Sequence, residues 1–193
     1  MDAQAQSVMD FWFGASGDPG RDQPRKQWFE KNDAFDAAIR DRFGSLIERG
    51  IAGTLAHWAA DSEGAVAQIV VLDQFTRNAF RGTARAFAGD VRALAAARAL
   101  VAAGADHALP GVQRQFVYLP FEHAEDIAAQ DDALRLFAQL ERDAPEVGQL
   151  LVWAQRHRDV IARFGRFPHR NAALGRSSTP DEIEFLKQPG SSF

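Results

Sequence analysis

Cysteine is absent from the 193 residues. Its absence excludes a disulfide scaffold, thiolate zinc or iron–sulfur ligation, and a cysteine nucleophile. Lysine is scarce as well, with 3 lysines against 19 arginines. No apolar run approaches the roughly 18 residues of a membrane-crossing helix, so no membrane partner is expected. The opening MDAQAQSVMDFWFG is acidic and aromatic rather than basic and then apolar. A signal peptide is therefore not expected, and a soluble cytoplasmic protein is. No Pro/Ser-rich linker divides the chain, which points to a single domain over residues 1–193. No G-x-S-x-G elbow, Walker loop, dinucleotide fingerprint or HExxH is present, so no cofactor is expected.

Hydrophobic residues make up 46% of the chain, enough for a real core and too many for global disorder. The formal charge of −4 argues against bulk affinity for nucleic acid. The apolar spacing is mostly three and four, and no segment alternates like a strand. The expected fold is all-α, with eight to ten helices. Residues 2–13 read as a helix closed by Gly14, and Asn32 or Asp33 caps a second. Residues 54–60 could form a short third. A strongly apolar helix opens at Ser62, and ARAFAGDVRALAAARALVAAG reads as one long helix ending at Gly104. Pro120 starts or kinks a helix through FEHAEDIAAQ, and Asp131 or Asp132 restarts one through Leu140. Residues 145–164 form another, stopped by Gly165. Thr179-Pro180-Asp181-Glu182 caps the last, and residues 187–193 are expected to fray.

Three stretches carry the polar information. In Asp73-Gln74-Phe75-Thr76-Arg77-Asn78-Ala79-Phe80-Arg81, Asp73 continues an apolar stripe and faces Arg77 at four-residue spacing. A buried carboxylate there needs a cationic or hydrogen-bonding partner. Residues 122–132 hold five acids and no Lys or Arg, with His123 beside Glu122 and Asp126. That neighbourhood can set an imidazole tautomer for proton transfer, which makes His123, Glu122 and Asp126 the candidate catalytic residues. The third stretch, Arg156 to Arg176, holds six Arg and two His against one acid. His157 faces inward there; a lone inward His is more often a satisfied core residue than a ligand. A metal set drawn from Glu122, His123, Asp126, His157 and His169 lacks a fixed spacing, and no metal is expected.

The first and third stretches echo one another in Phe75-Thr-Arg-Asn-Ala and Phe167-Pro-His-Arg-Asn-Ala. Arg supplies a planar fork for carboxylate or phosphate, while Asn suits caps and turns. Two such corners converging on one cleft would bind an anion. The candidate ligand-binding residues are Asp73, Arg77, Asn78, Arg81, His157, Arg163, Arg166, His169, Arg170, Asn171 and Arg176. The expected ligand is a small anionic molecule or an acidic peptide segment. An enzyme using His123 with Glu122 or Asp126 on a carboxylate- or phosphate-bearing substrate is the alternative. A purely structural role for the charged clusters is the third reading.

The runs FWFG, LDQFTRNAFRGTARAF, YLPFEHAED and RFGRFPHRNAALGRSSTPDE, with FL nearby, resemble a mainly bacterial family. It is catalogued as domain of unknown function nine hundred and twenty-four. The resemblance extends from about Phe11 to Leu186. It implies helix pairs in an antiparallel, tetratricopeptide-like array and carries no established activity to transfer.

Overall fold

The computed structural model describes residues 1–192, and every regular element in them is helical. Helix α1 (Ala3–Phe13) starts where the Asp2 carboxylate accepts from the amides of Gln4 and Ala5, and it ends at Gly14 with φ 110°. Helix α2 (Asp33–Ile51) is capped by Asn32, whose side chain accepts from Phe35 N at 3.0 Å. The expected helix at 54–60 is a single tight turn, Ala56–Ala60.

A continuous helix then crosses the centre of the molecule. It runs as α3 (Ser62–Ile69), a π-helical turn (Val70–Phe75) and α4 (Thr76–Ala79). Residues 64–76 are all buried, so two glycines are needed where other backbone presses against the helix. A Cβ on Gly64 would lie 2.2 Å from the Trp58 carbonyl oxygen, and one on Gly89 would lie 2.1 Å from that of Leu72. The second contact breaks the expected long helix at 84–104. A tight turn (Ala84–Phe87) leads to Gly89, and α5 (Asp90–Ala102) begins afresh with Asp90 at its head. The chain then turns at Gly104, φ 65°.

Pro120 does not start a helix. It lies inside α6 (Gly111–Glu122), whose residues from Val112 to Glu122 are buried. Proline removes one helical hydrogen bond, and burial on both sides holds the helix through that loss. The acidic stretch is the joint between two helices. Gln130 reaches back from α7 (Ile127–Asp143) and donates to the carbonyls of Glu122 at 2.6 Å and Ala124 at 2.8 Å, closing the α6 end. Asp126 caps α7, and Asp131 and Asp132 lie within it rather than at a new start. The segment 145–164 divides into a turn (Pro145–Val147) and α8 (Leu151–Phe164), which stops at Gly165, φ 70°. Helix α9 (Pro180–Leu186) carries the complete capping box of Thr179 and Glu182.

The tail expected to fray begins at Lys187. Gly190 turns it, and the buried Ser191 donates from its hydroxyl to the Leu186 carbonyl at 3.1 Å. Phe193, the remainder of that expectation, lies outside the described residues.

One apolar core links α1 to α8. Trp12 is its aromatic centre, with ring contacts to Trp28, Phe35, Phe75 and Phe116 at 5.5–5.9 Å. The FWFG run therefore packs the interior. A smaller cluster of Val160, Ile161 and Phe167 is covered by Phe164 and Phe185.

A Gly89→Ala substitution should destabilise the protein by roughly 1–3 kcal/mol, because the backbone of the π-helical turn has no room for a methyl group. Urea unfolding measures it, and a loss under about 0.5 kcal/mol, the scale of an ordinary surface change, would contradict the close contact.

Candidate functional site

The π-helical turn presents Asp73 and Gln74 to the interior, where Asp73 is fully buried. A bare carboxylate there would be costly, and three groups compensate it. Arg77 Nη1 lies 2.9 Å from Oδ1, Gln74 donates to Oδ2 at 2.6 Å, and His123 Nδ1 sits 2.8 and 3.0 Å from the two oxygens. Burial alone would raise the carboxyl, but the charge of Arg77 and the hydrogen bonds from His123 and Gln74 outweigh it and hold Asp73 ionised. An ionised carboxylate only accepts, so Nδ1 of His123 carries the proton and Nε2 is bare. Burial first, then Arg77, lowers the imidazole below its ordinary range against the pull of Asp73. The ring is therefore neutral near pH 7.

The next residue back is the opposite case. Glu122 is 4% exposed, and burial, with Asp73 adding, pushes its carboxyl up to about 8. His157 Nδ1 is 3.0 Å from Oε1 of Glu122 and 2.9 Å from the Trp153 carbonyl oxygen. A carbonyl only accepts, so that Nδ1 also bears a proton. Burial lowers His157 to about 3. Two adjacent residues thus supply a neutral imidazole and a protonated carboxylic acid.

The Arg-Asn corners use one construction twice. Arg77 holds Asp90 through two hydrogen bonds of 2.8 and 3.1 Å, and Arg170 approaches the same carboxylate at 3.4 Å. Each following asparagine turns away onto a buried carboxylate that another arginine clamps with two donors. Asn78 donates to Asp36 at 2.7 Å, and Arg81 holds Asp36 at 2.9 and 3.1 Å. Asn171 donates to Glu182 at 3.2 Å, and Arg166 holds Glu182 at 2.7 and 2.9 Å.

Arg77, Asn78, Arg81, Glu122, His123, His157, His169 and Arg170 line one cavity of about 670 Å³. Asp73 stands behind its wall, and Gln74, Gln115, Phe87 and Phe137 also line the interior. Phe29 and Trp153 also line it; at 63% and 48% exposed, they are the most exposed aromatic residues among those described. Four expected residues lie elsewhere. Arg166, Asn171 and Arg176 form a lattice with Glu182 and Glu125, in which Arg176 takes Glu125 at 2.6 and 2.9 Å. Arg163 stacks on Phe164 and Phe185 beside a separate small cleft. Asp126 is not at the cavity either: it caps α7 through Ala128 N at 3.0 Å and lies 3.5 Å from Arg98. The partner of His123 is Asp73, not Glu122 or Asp126.

The model of a family described as bacterial protein of unknown function, DUF924, matches residues 8–190. The chain belongs to that family. The solved structure of a protein of unknown function from Agrobacterium tumefaciens, ATU0120, is similar: 40% identical over 97% of this chain and 98% of that one, with a TM-score of 0.81. Comparison with curated proteins finds no match. In this DUF924 chain no described helix is long and apolar enough to cross a membrane.

Sequence reasoning did not find Asp90 or Asp36, the carboxylates that orient the arginines. Asp90 was hidden in what reads as the middle of a long helix; the Ala-Gly before it was the available signal. The aromatic rim residues Phe29 and Trp153 left no pattern beyond their type.

The buried titrations oppose one another. Glu122 is raised from 4.5 to about 8, so its contribution to stability is full below pH 4.5 and is lost as pH climbs to 8. His157 and His169 are lowered from 6.5 to about 3 and 4, so theirs is full above pH 6.5 and is lost as pH falls. Above pH 6.5 only the Glu122 loss of these three remains. Glu122→Gln should therefore remove a decline of about 2 kcal/mol between pH 6.5 and 8, measured by urea unfolding at each pH. Parallel profiles for the two proteins would contradict a protonated Glu122.

Proposed function

We propose that the cavity binds a small molecule carrying a carboxylate or phosphate group and an apolar body. The observation that carries this reading is Arg170. Its guanidinium is 6% exposed, and burial first, then Arg77, pushes it down to about 10. Its acidic contact is Asp90 at 3.4 Å, a carboxylate already engaged by two donors of Arg77, and its Nε has no acceptor among the described residues. A buried cation with so little compensation is costly, and an incoming anion supplies the missing acceptor. Phe87 and Phe167 flank the guanidinium at 4.7 and 4.4 Å, which fixes its plane for paired hydrogen bonds.

The volume suits a small molecule rather than a peptide segment. The exposed Phe29 and Trp153 supply apolar faces at the rim, and buried Gln74 and Gln115 supply amides deeper in. The pairing of acids 122–132 with the basic 156–176 segment is real in part, through Glu125–Arg176 and Asp131–Arg158. Those pairs leave Glu122, His123 and Arg170 at the cavity, which favours binding over a purely structural role.

Calorimetric titration with 4-phenylbutanoate tests the reading. The carboxylate should bind and the neutral amide 4-phenylbutanamide should not. Arg170→Ala should weaken the carboxylate roughly 10- to 100-fold, the scale of a charge-assisted hydrogen-bond pair. Equal binding of acid and amide, or an unchanged affinity in the variant, would refute an anion site at Arg170.

A further inference from the structure

Binding alone leaves the most unusual pair in the cavity unused. The anion site needs arginines; it does not need a His held by a buried Asp beside a buried carboxylic acid. His123 is 15% exposed in its side chain and lines the cavity, with Nδ1 fixed by Asp73 at 2.8 Å. Glu122 lines the same cavity from the end of the same helix, steadied through His157 at 3.0 Å. The carboxylate that orients His123 comes from a fully buried π-helical turn, a backbone form frequent at functional sites. Among the described residues no serine, threonine, cysteine or tyrosine lines the cavity, and its one lysine, the exposed Lys31, is paired with Asp33 at 3.4 Å, so the chemistry that His123 and Glu122 offer is proton transfer.

We propose that the site catalyses enolisation of a 2-oxo acid, with His123 as general base and Glu122 as general acid. The proposal rests on the anion site: the substrate carboxylate lies against Arg170, which brings the adjacent ketone and its C3 hydrogens toward the 122–123 pair. His123 Nε2 takes a C3 proton, so the C3–H bond breaks and an N–H bond forms. The electron pair becomes the C2–C3 double bond, and the carbonyl oxygen takes the proton of the Glu122 carboxylic acid. The products are the enol, an imidazolium and a carboxylate. Return of the two protons, or exchange with water before return, restores the starting forms. No oxidant, reductant or second substrate enters. Asp73 is a positioning residue: it keeps Nε2 bare and faces the charge that develops on the ring.

The test uses 4-phenyl-2-oxobutanoate in D2O, with loss of the C3 proton signal followed by NMR and binding followed by calorimetry on the same samples. The native protein should bind the probe and accelerate deuteration over buffer. His123→Asn should lower the exchange rate about 10²- to 10⁴-fold while affinity stays within a few-fold. Glu122→Gln, a near-isosteric change, should also slow exchange, and in the native protein exchange should fall as pH passes 8. Binding without accelerated exchange, or exchange that survives His123→Asn, would overturn the catalytic proposal and leave the anion site standing. Failure of the probe to bind at all would overturn both.

Discussion

A fully buried carboxylate dictates the centre of this molecule. Asp73 is tolerable only because Arg77, Gln74 and His123 converge on it, and each of those groups is then placed for something else. Arg77 carries the constraint outward to Asp90, which heads α5 and meets Arg170. His123 carries it to the end of α6, where the adjacent Glu122 meets His157. Removing one partner from such a buried set costs roughly 3–5 kcal/mol, because the charge left behind is uncompensated. The same interactions therefore stabilise the fold and set the protonation states at the cavity wall.

Backbone shape makes the convergence possible. The π-helical turn widens the central helix over residues 70–75, and Gly89 lets the following segment press against Leu72. That contact ends the preceding turn and starts α5 at Asp90, within reach of Arg77. On the other side, Gln130 closes α6 at Glu122 and leaves His123 just past the helix end. Helix boundaries that look like interruptions are what bring the polar groups to one place.

Local signals in the chain were legible. Gly14, Asn32, Gly165 and the Thr179–Glu182 box each mark a terminus through chemistry confined to a few residues. The Asp73–Arg77 pair was legible for the same reason, since it spans one helical turn. The repeated Arg-Asn corners pointed to Arg77 and Arg170, and both reach the cavity. The partners that give these residues their meaning were not legible. His123 meets Asp73 across 50 positions, and Arg170 meets Asp90 across 80. A charged side chain looks alike in sequence whether it closes a lattice, as Arg166 and Arg176 do, or faces a cavity, as Arg170 does. The π-helical turn leaves no compositional mark, because its residues would fit an ordinary buried helix.

Asp73 fixes the tautomer of His123, while burial and Arg77 keep the ring neutral. Nitrogen-15 NMR of the imidazoles at pH 7 measures this directly, because protonated and bare ring nitrogens differ widely in shift. His123 should carry its proton on Nδ1 with Nε2 bare, and Asp73→Asn should abolish that preference. An Nε2-protonated ring, or an imidazolium at pH 7, would contradict it.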